Sequence, residues 1–134
     1  MRVYIVICLL FFCKIGSSYG QNINILEDKF WDAVKTKDYE TQVKYGPQLI
    51  QYYEQNSFRV DTNYIDFLFR VGTAYYSLNQ FENSRNIHLK GIDLARNLLG
   101  YDDFRTRMLY YALANDFFKL ENNHELIKLS LIHI

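Results

Sequence analysis

The strongest constraint on the fold of this chain is a set of side chains that returns every 42 residues. Large residues fall on large residues and small on small in four pairings: Leu78 with Leu120, Tyr75-Tyr76 with Phe117-Phe118, Val71 with Leu113, and Gly72 with Ala114. The same offset leads back to an earlier copy, because Phe81-Glu82 falls on Tyr39-Glu40. Repetition at such a period is typical of chains that stack one supersecondary unit on the next. The sequence therefore predicts three related units.

Within each copy the apolar residues have the spacing of an α-helix. Leu68, Val71 and Tyr75 lie three or four residues apart, which places them on one face of a helix. The chain has one proline and six glycines, so its long segments are free to be helical. Polar breaks that would join antiparallel helices occur at Thr36-Lys37-Asp38, Asn79-Gln80 and Glu121-Asn122-Asn123. These observations predict an all-α fold of antiparallel helix hairpins.

Two further expectations follow from small residues and a proline inside the predicted helices. Gly72 and Ala114 fall in the middle of helices, where a glycine costs about 1 kcal/mol of helix propensity. We therefore expect two helices to cross closely at these positions. Gly46-Pro47 falls inside the second helix of the first copy, and a proline in a helix interior costs about 3 kcal/mol or more. We expect a kink or a break there.

The middle copy has a characteristic order of large, small and aromatic residues: Leu68, Val71, Gly72, Tyr75, Phe81, Ser84 and Gly91. This order resembles the tetratricopeptide repeat family, and the likeness extends over about residues 24–134. The other copies match in part, through Tyr110, Leu113, Ala114 and Phe117 and through Leu26, Phe30, Ala33 and Tyr39. A period longer than the basic motif of about 34 residues is similar to the extended form of kinesin light chains and bacterial arrays, with Leu99-Gly100-Tyr101-Asp102-Asp103 as the connector. The resemblance implies an α-solenoid of about two and a half repeats.

The first twenty residues differ from the repeats. Arg2 precedes an apolar run from Val3 to Cys13, and Ser17-Ser18-Tyr19-Gly20 offers small residues where a signal peptidase cleaves. This pattern predicts a secretory signal peptide, residues 1–20, followed by a repeat domain, residues 21–134, that is truncated at its C-terminal end. The run is shorter than the roughly twenty residues that span a bilayer. An uncleaved membrane anchor and a buried core segment are the alternatives.

Cleavage before Gln21 would change the chemistry of the remaining chain. Both cysteines, Cys8 and Cys13, would be removed, so the repeat domain would contain no thiol. The chain has 15 basic and 15 acidic residues, and Arg2 and Lys14 are the charged residues of the leader, so 13 basic and 15 acidic residues remain, a net charge of −2. This balance indicates neither a nucleic-acid surface nor a polybasic membrane patch. We expect no nucleic-acid partner, and membrane contact only through an uncleaved signal.

The resemblance also implies where a partner would bind. In the family the first helix of each hairpin lines a concave groove, and the corresponding residues here are Trp31, Phe69, Arg70, Thr73, Tyr76, Tyr111, Asn115 and Phe118. An aromatic groove with a cation and polar anchors suits an extended peptide or a partner helix. The alternative is that these aromatic rings pack between repeats. The carboxylate clamp of chaperone-binding relatives is not supported, because Glu27 and Trp31 occupy positions that require Lys and Asn.

We find no catalytic or metal-binding cluster in the sequence, and we expect neither an enzyme nor a cofactor. His88 and His124 lack a histidine or carboxylate four residues away that would pair them as metal ligands. We interpret both, and His133, as surface or packing residues. Asp102-Asp103 lacks the alternating oxygen ligands of a calcium loop. A helix cap before Phe104 is the better interpretation.

These observations predict an exported protein, periplasmic or extracellular, that serves as a protein–protein interaction or scaffold module. A second hypothesis is the N-terminal recognition segment of a larger exported enzyme or membrane sensor, such as a protease or kinase, because the last hairpin is incomplete. A third is self-association through the apolar C-terminal end, which contains Leu129, Leu131, Ile132 and Ile134. Fewer than three full repeats also predict marginal stability.

Overall fold

The structure, a computed structural model, describes residues 22–56, 60–120, 128, 129 and 132. These residues contain no β-strand and form α1 (22–36), α2 (Tyr39–Gln55), α3 (Thr62–Ser77), α4 (Phe81–Leu99) and α5 (Phe104–Lys119), and 128, 129 and 132 are also helical. The predicted all-α class is therefore confirmed for the described part of the chain. The predicted signal peptide, the break at Glu121-Asn122-Asn123, His124 and His133 lie outside the described residues.

The helix boundaries repeat at the offset seen in the sequence. α5 begins 42 residues after α3, and both helices are 16 residues long. Each starts behind an aspartate: Asp61 accepts hydrogen bonds from the backbone amides of Asn63 and Tyr64, and Asp103 from that of Arg105. A side-chain acceptor at this position satisfies amides that have no partner within the helix. The cap predicted before Phe104 is confirmed.

The turns between the helices of each hairpin repeat as well. Lys37 follows α1 with a φ of 57°, and Asn79 lies between α3 and α4 with a φ of 59°. A residue in this left-handed region ends a helix and reverses the chain. The polar breaks predicted at 36–38 and 79–80 are therefore confirmed. Gly100 ends α4 with a φ of 81°, a conformation that side chains with a Cβ rarely adopt.

Of the kink or break expected at Gly46-Pro47, the break is wrong, because α2 continues through Pro47 as far as Gln55. A proline ring clashes with the Cβ of the preceding residue, and Gly46 has none. Pro47 itself is exposed, so its ring meets solvent instead of a neighbouring helix. Gly46 has a second reason to be small, since a Cβ there would lie 2.9 Å from Cγ2 of Val71 in α3.

α3 and α4 run antiparallel and cross closely at two glycines. Gly72 of α3 faces His88 of α4. One turn earlier in α3, Leu68 faces Gly91, which lies nearly one turn later in α4, so the two helices run in opposite directions. A Cβ at Gly72 would come within 2.5 Å of Cδ2 of His88 and closer still to Nε2. The close crossing predicted at this glycine is therefore present.

Two apolar clusters that meet at α3 form the core. The first joins α1, α2 and α3 through Ile23, Phe30, Leu49, Ile50, Tyr53, Tyr64, Phe67, Leu68 and Val71. The second joins α3, α4 and α5 through Ile65, Ile92, Ala95, Leu109, Tyr110, Leu113 and Phe117. Of the apolar C-terminal end, Leu129 packs against the second cluster and Ile132 is 50% exposed, while Leu131 and Ile134 lie outside the described residues. No helix in the described ranges is long and apolar enough to cross a membrane.

Candidate functional site

α3 and α5 form the walls of a groove with a volume of about 360 Å³. The lining residues recur at helical spacing, at positions 69, 73 and 76 of α3 and at 108, 111, 112 and 115 of α5, so each helix presents one face to the groove. The lining is mainly apolar and aromatic, with a few polar groups, which is typical of binding sites. Its members are Phe69, Thr73 and Tyr76 from α3, His88 from α4, and Met108, Tyr111, Ala112 and Asn115 from α5.

The structure brings together most of the residues that the sequence suggested for partner binding, but not all of them. Arg70 is exposed on α3 and Phe118 is 65% exposed on α5, and neither lines the groove. Trp31, which is 38% exposed, lines a different pocket. The five that share the groove are Phe69, Thr73, Tyr76, Tyr111 and Asn115.

The pocket at Trp31 has a volume of about 260 Å³ and lies where α1, α2 and the start of α3 meet. The indole ring packs edge-on against Phe30 and Phe67, with ring centroids 5.3 Å and 6.4 Å apart. Glu27, at the same pocket, accepts a 2.6 Å hydrogen bond from the hydroxyl of Tyr53. At Trp31, therefore, the geometry matches the alternative that the aromatic rings pack between units.

Three tyrosines, of which Tyr64 lines the pocket at Trp31, have a raised pKa. Burial raises the pKa of Tyr64, Tyr75 and Tyr110 above the usual value for a phenol. At Tyr64 the carboxylate of Glu54, 3.4 Å from the hydroxyl, acts in the same direction. These hydroxyls stay protonated and act through packing and hydrogen bonds.

A buried hydrogen-bonded network, which the sequence analysis missed, lies beneath the groove. His88 Nδ1 is 2.6 Å from Asp116 Oδ2, and Ser84 Oγ is 2.6 Å from Asp116 Oδ1. The Ser84 hydroxyl is also 2.9 Å from the carbonyl oxygen of Gly72. The three residues are at most 1% exposed. Both carboxylate oxygens of Asp116 thus have partners, which a buried carboxylate requires.

This Ser–His–Asp contact differs from a catalytic triad. In a triad the serine and the aspartate lie at opposite nitrogens of the imidazole ring. Here Ser84 Oγ, at 3.4 Å, and Asp116 Oδ2 both lie at Nδ1 of His88. Nε2 faces Gly72 and has no hydrogen-bond partner among the described residues. The network therefore fastens α3, α4 and α5 to one another and presents no activated nucleophile.

No family model, curated protein or solved structure matches this chain. The function has to be inferred from the residues themselves. Within the ranges that the structure describes, no group of three or more His, Cys, Asp or Glu side chains could hold a metal ion.

The buried network has a sequence signal, which is a paired departure from the repeat. At the offset of 42 residues, His88 corresponds to Gly46 and Asp116 to Ala74. Gly46 and Ala74 are small and buried, so two facing positions change together from small to polar in the following unit. Because buried polar groups are kept only when they are paired, such a double change indicates a contact between the two residues.

Proposed function

We propose that this chain is an exported helical-repeat protein of the tetratricopeptide type and acts as an interaction or scaffold module. Its groove between α3 and α5 binds a peptide or a helix of a partner protein. One observation carries the proposal: five of the eight residues that the family resemblance assigns to the concave face lie together in a single groove. These residues were chosen by their alignment to the family motif. Because they also lie on one surface, they support both the alignment and the groove as a binding surface.

The packing of the helices supports the repeat architecture. The first helices of successive units touch, because the rings of Phe30 in α1 and Phe67 in α3 have centroids 4.8 Å apart. The second helices are linked by an ion pair between Glu54 of α2 and Lys90 of α4. Contacts between equivalent helices of neighbouring units are what a solenoid requires.

The chemistry of the groove favours a ligand that offers both apolar side chains and a polar backbone. Phe69, Tyr76 and Met108 supply apolar surface. Thr73 donates its hydroxyl proton to the carbonyl of Phe69 at 2.8 Å, so its oxygen can still accept a hydrogen bond. Asn115 is exposed and offers both a donor and an acceptor. A short peptide segment or one helix face has this combination of groups.

Affinity capture with the full chain tests the proposal. Ala112→Arg places a long side chain inside the groove, and Tyr76→Ala removes apolar surface from the α3 wall. We expect both variants to lose the partner that the unmodified chain captures. Leu98→Arg is the matched control, because Leu98 is 50% exposed on α4 and does not line the groove. Equal capture by all three variants, with unchanged helical circular dichroism, would reject the groove as the binding site.

Export is tested separately, by expressing the full gene in a secreting host and measuring the intact mass of the exported protein. A mature chain that begins at Gln21 is the expected result. A protein that keeps residues 1–20 and stays with the membrane fraction would favour the uncleaved anchor.

A further inference from the structure

The solvent-facing side of α5 carries a row of three aromatic rings, of which only Tyr111 also lines the groove. Phe104, Tyr111 and Phe118 are 65%, 72% and 65% exposed. They are seven residues apart, and a helix drifts by only about 20° over seven residues. The three rings therefore point in nearly the same direction, about 10 Å from one another along the helix axis. An exposed apolar row of this kind marks a protein contact surface.

The row is symmetric about Tyr111 along the helix. A phenylalanine lies seven residues before Tyr111 and another lies seven residues after it. We propose that α5 pairs antiparallel with α5 of a second copy of this chain, about a two-fold axis at Tyr111. Phe104 then packs against Phe118 of the partner subunit, and Tyr111 against Tyr111 of the partner subunit. A two-fold interface requires such a self-complementary surface, whereas an unrelated partner would not require equal spacing around a centre.

The residues beside the row are compatible with this pairing. By helical geometry, Met108 and Asn115, which also line the groove, lie on one flank of the row, and Arg107 and Ala114 lie on the other. The pairing therefore covers the α5 wall of the groove and competes with a partner bound there. The two-fold axis brings Met108 opposite Asn115 of the partner subunit, and Arg107 opposite Ala114 of the partner subunit. The two arginines are then about 12 Å apart along the helices. Like charges are therefore not forced together.

The area of the row sets the strength of the contact. A ring of this size has roughly 200 Å² of surface, so the observed exposures leave roughly 400 Å² of aromatic surface per subunit. A standard interface buries about 800 Å² per partner. The flanking residues add to the row, and the pair falls in the weak class, with dissociation constants from micromolar upward. This surface is distinct from the apolar C-terminal end, where Leu129 packs on the chain's own core.

Sedimentation velocity of the full chain, from about 5 µM to 1 mM, measures the association. Tyr111→Glu and Tyr111→Lys each place two like charges at the two-fold axis, and we expect each to raise the dimer dissociation constant at least tenfold. An equal mixture of the two variants places opposite charges there and restores the dimer. Leu98→Glu is the control, because Leu98 is similarly exposed but lies on α4. Its dissociation constant should match that of the unmodified chain.

Three outcomes overturn the proposal: an unmodified chain that is monomeric at 1 mM, a Tyr111→Glu variant that dimerises normally, or a mixture that stays monomeric. Far-ultraviolet circular dichroism confirms that each variant is folded. Should a charge at Tyr111 prevent folding, Phe104→Ser shortens the row at its exposed end and must weaken the dimer instead. Tyr76→Ala lies on α3, outside the row, so failure of the groove proposal and failure of the dimer are distinguishable.

Discussion

Gly72 is the position where a single added methyl group should distort the molecule most. A Cβ there would come within 2.5 Å of Cδ2 of His88, whereas carbon atoms in contact prefer about 3.5–4.0 Å. The imidazole ring would have to move by about 1 Å to restore an ordinary contact. It cannot do so freely, because Asp116 holds Nδ1 at 2.6 Å.

The expected cost of Gly72→Ala follows from three contributions. Overpacking a core costs about 1–3 kcal/mol. Weakening a hydrogen bond that involves a charged group costs about 1.5–3 kcal/mol. Replacing glycine by alanine stabilises the helix by about 1 kcal/mol through its higher helix propensity. We therefore expect the free energy of unfolding to fall by about 3 kcal/mol, a large part of the roughly 5–15 kcal/mol of a typical domain.

Urea unfolding followed by circular dichroism measures this loss. Gly91→Ala is the matched control, since its Cβ would lie 3.0 Å from Cδ2 of Leu109, the end of a flexible side chain. A smaller loss, below about 1 kcal/mol, is expected there because leucine can change its rotamer. The helix propensity gained is the same for both substitutions. The difference between their losses of unfolding free energy therefore measures the steric clash with His88.

A double-mutant cycle tests whether His88 is that obstacle. In a His88→Ala background the ring is gone, and Gly72→Ala should be neutral or stabilise the protein by up to about 1 kcal/mol. The coupling energy between the two positions would then be about 3 kcal/mol. If Gly72→Ala costs the same in both backgrounds, His88 does not set the distance between α3 and α4, and the reasoning is refuted.

Three further results are expected. Asp116→Ala leaves Nδ1 of His88 buried without its hydrogen-bond partner and should lower the free energy of unfolding, measured in urea, by about 1–3 kcal/mol; a loss below about 1 kcal/mol would contradict the network. Pro47→Ala restores an amide inside α2 and should stabilise the chain by about 1–3 kcal/mol, so an unchanged urea midpoint would count against it. The backbone amide of Arg105 lowers the pKa of Asp103, so the cap stabilises the fold above the usual carboxyl pKa and is lost as pH falls through the lowered value. Below about pH 4 the melting temperature should therefore fall more steeply for the unmodified chain than for Asp103→Asn, and equal slopes would disprove the effect.

The elements of the fold that the sequence predicted are those determined by local chemistry. α3 and α5 each have an aspartate cap and an apolar stripe, and both signals lie within one segment of sequence. The alternative of a break at Pro47 was wrong because helix propensity, on which it was based, is also local. α2 is held by the burial of Leu49 and Ile50 against its neighbours, and in folded proteins such packing outweighs propensity.

The residues of the groove could be predicted only in part, because a pattern gives the face of a helix but not its rotation against a neighbour. Adjacent positions differ by about 100° around the axis. Phe69 and Arg70 are adjacent, yet only Phe69 lines the groove. The contact between His88 and Asp116 joins residues 28 positions apart on two helices. No pattern within a single helix reports such a pair.

The location of the groove follows from one repeat position that is filled differently in two units. Thr73 of α3 corresponds, 42 residues earlier, to Trp31 of α1. At the first junction the indole ring of Trp31 packs edge-on against Phe67 of α3 and fills part of the space between the two helices, beside the pocket at Trp31. At the second junction the small side chain of Thr73 leaves that space open, and the ring of His88, held by Asp116, forms its floor. A groove therefore appears between α3 and α5 because Thr73 stands where the preceding unit has Trp31, above the buried pair of His88 and Asp116. The helix boundaries still repeat at the same offset.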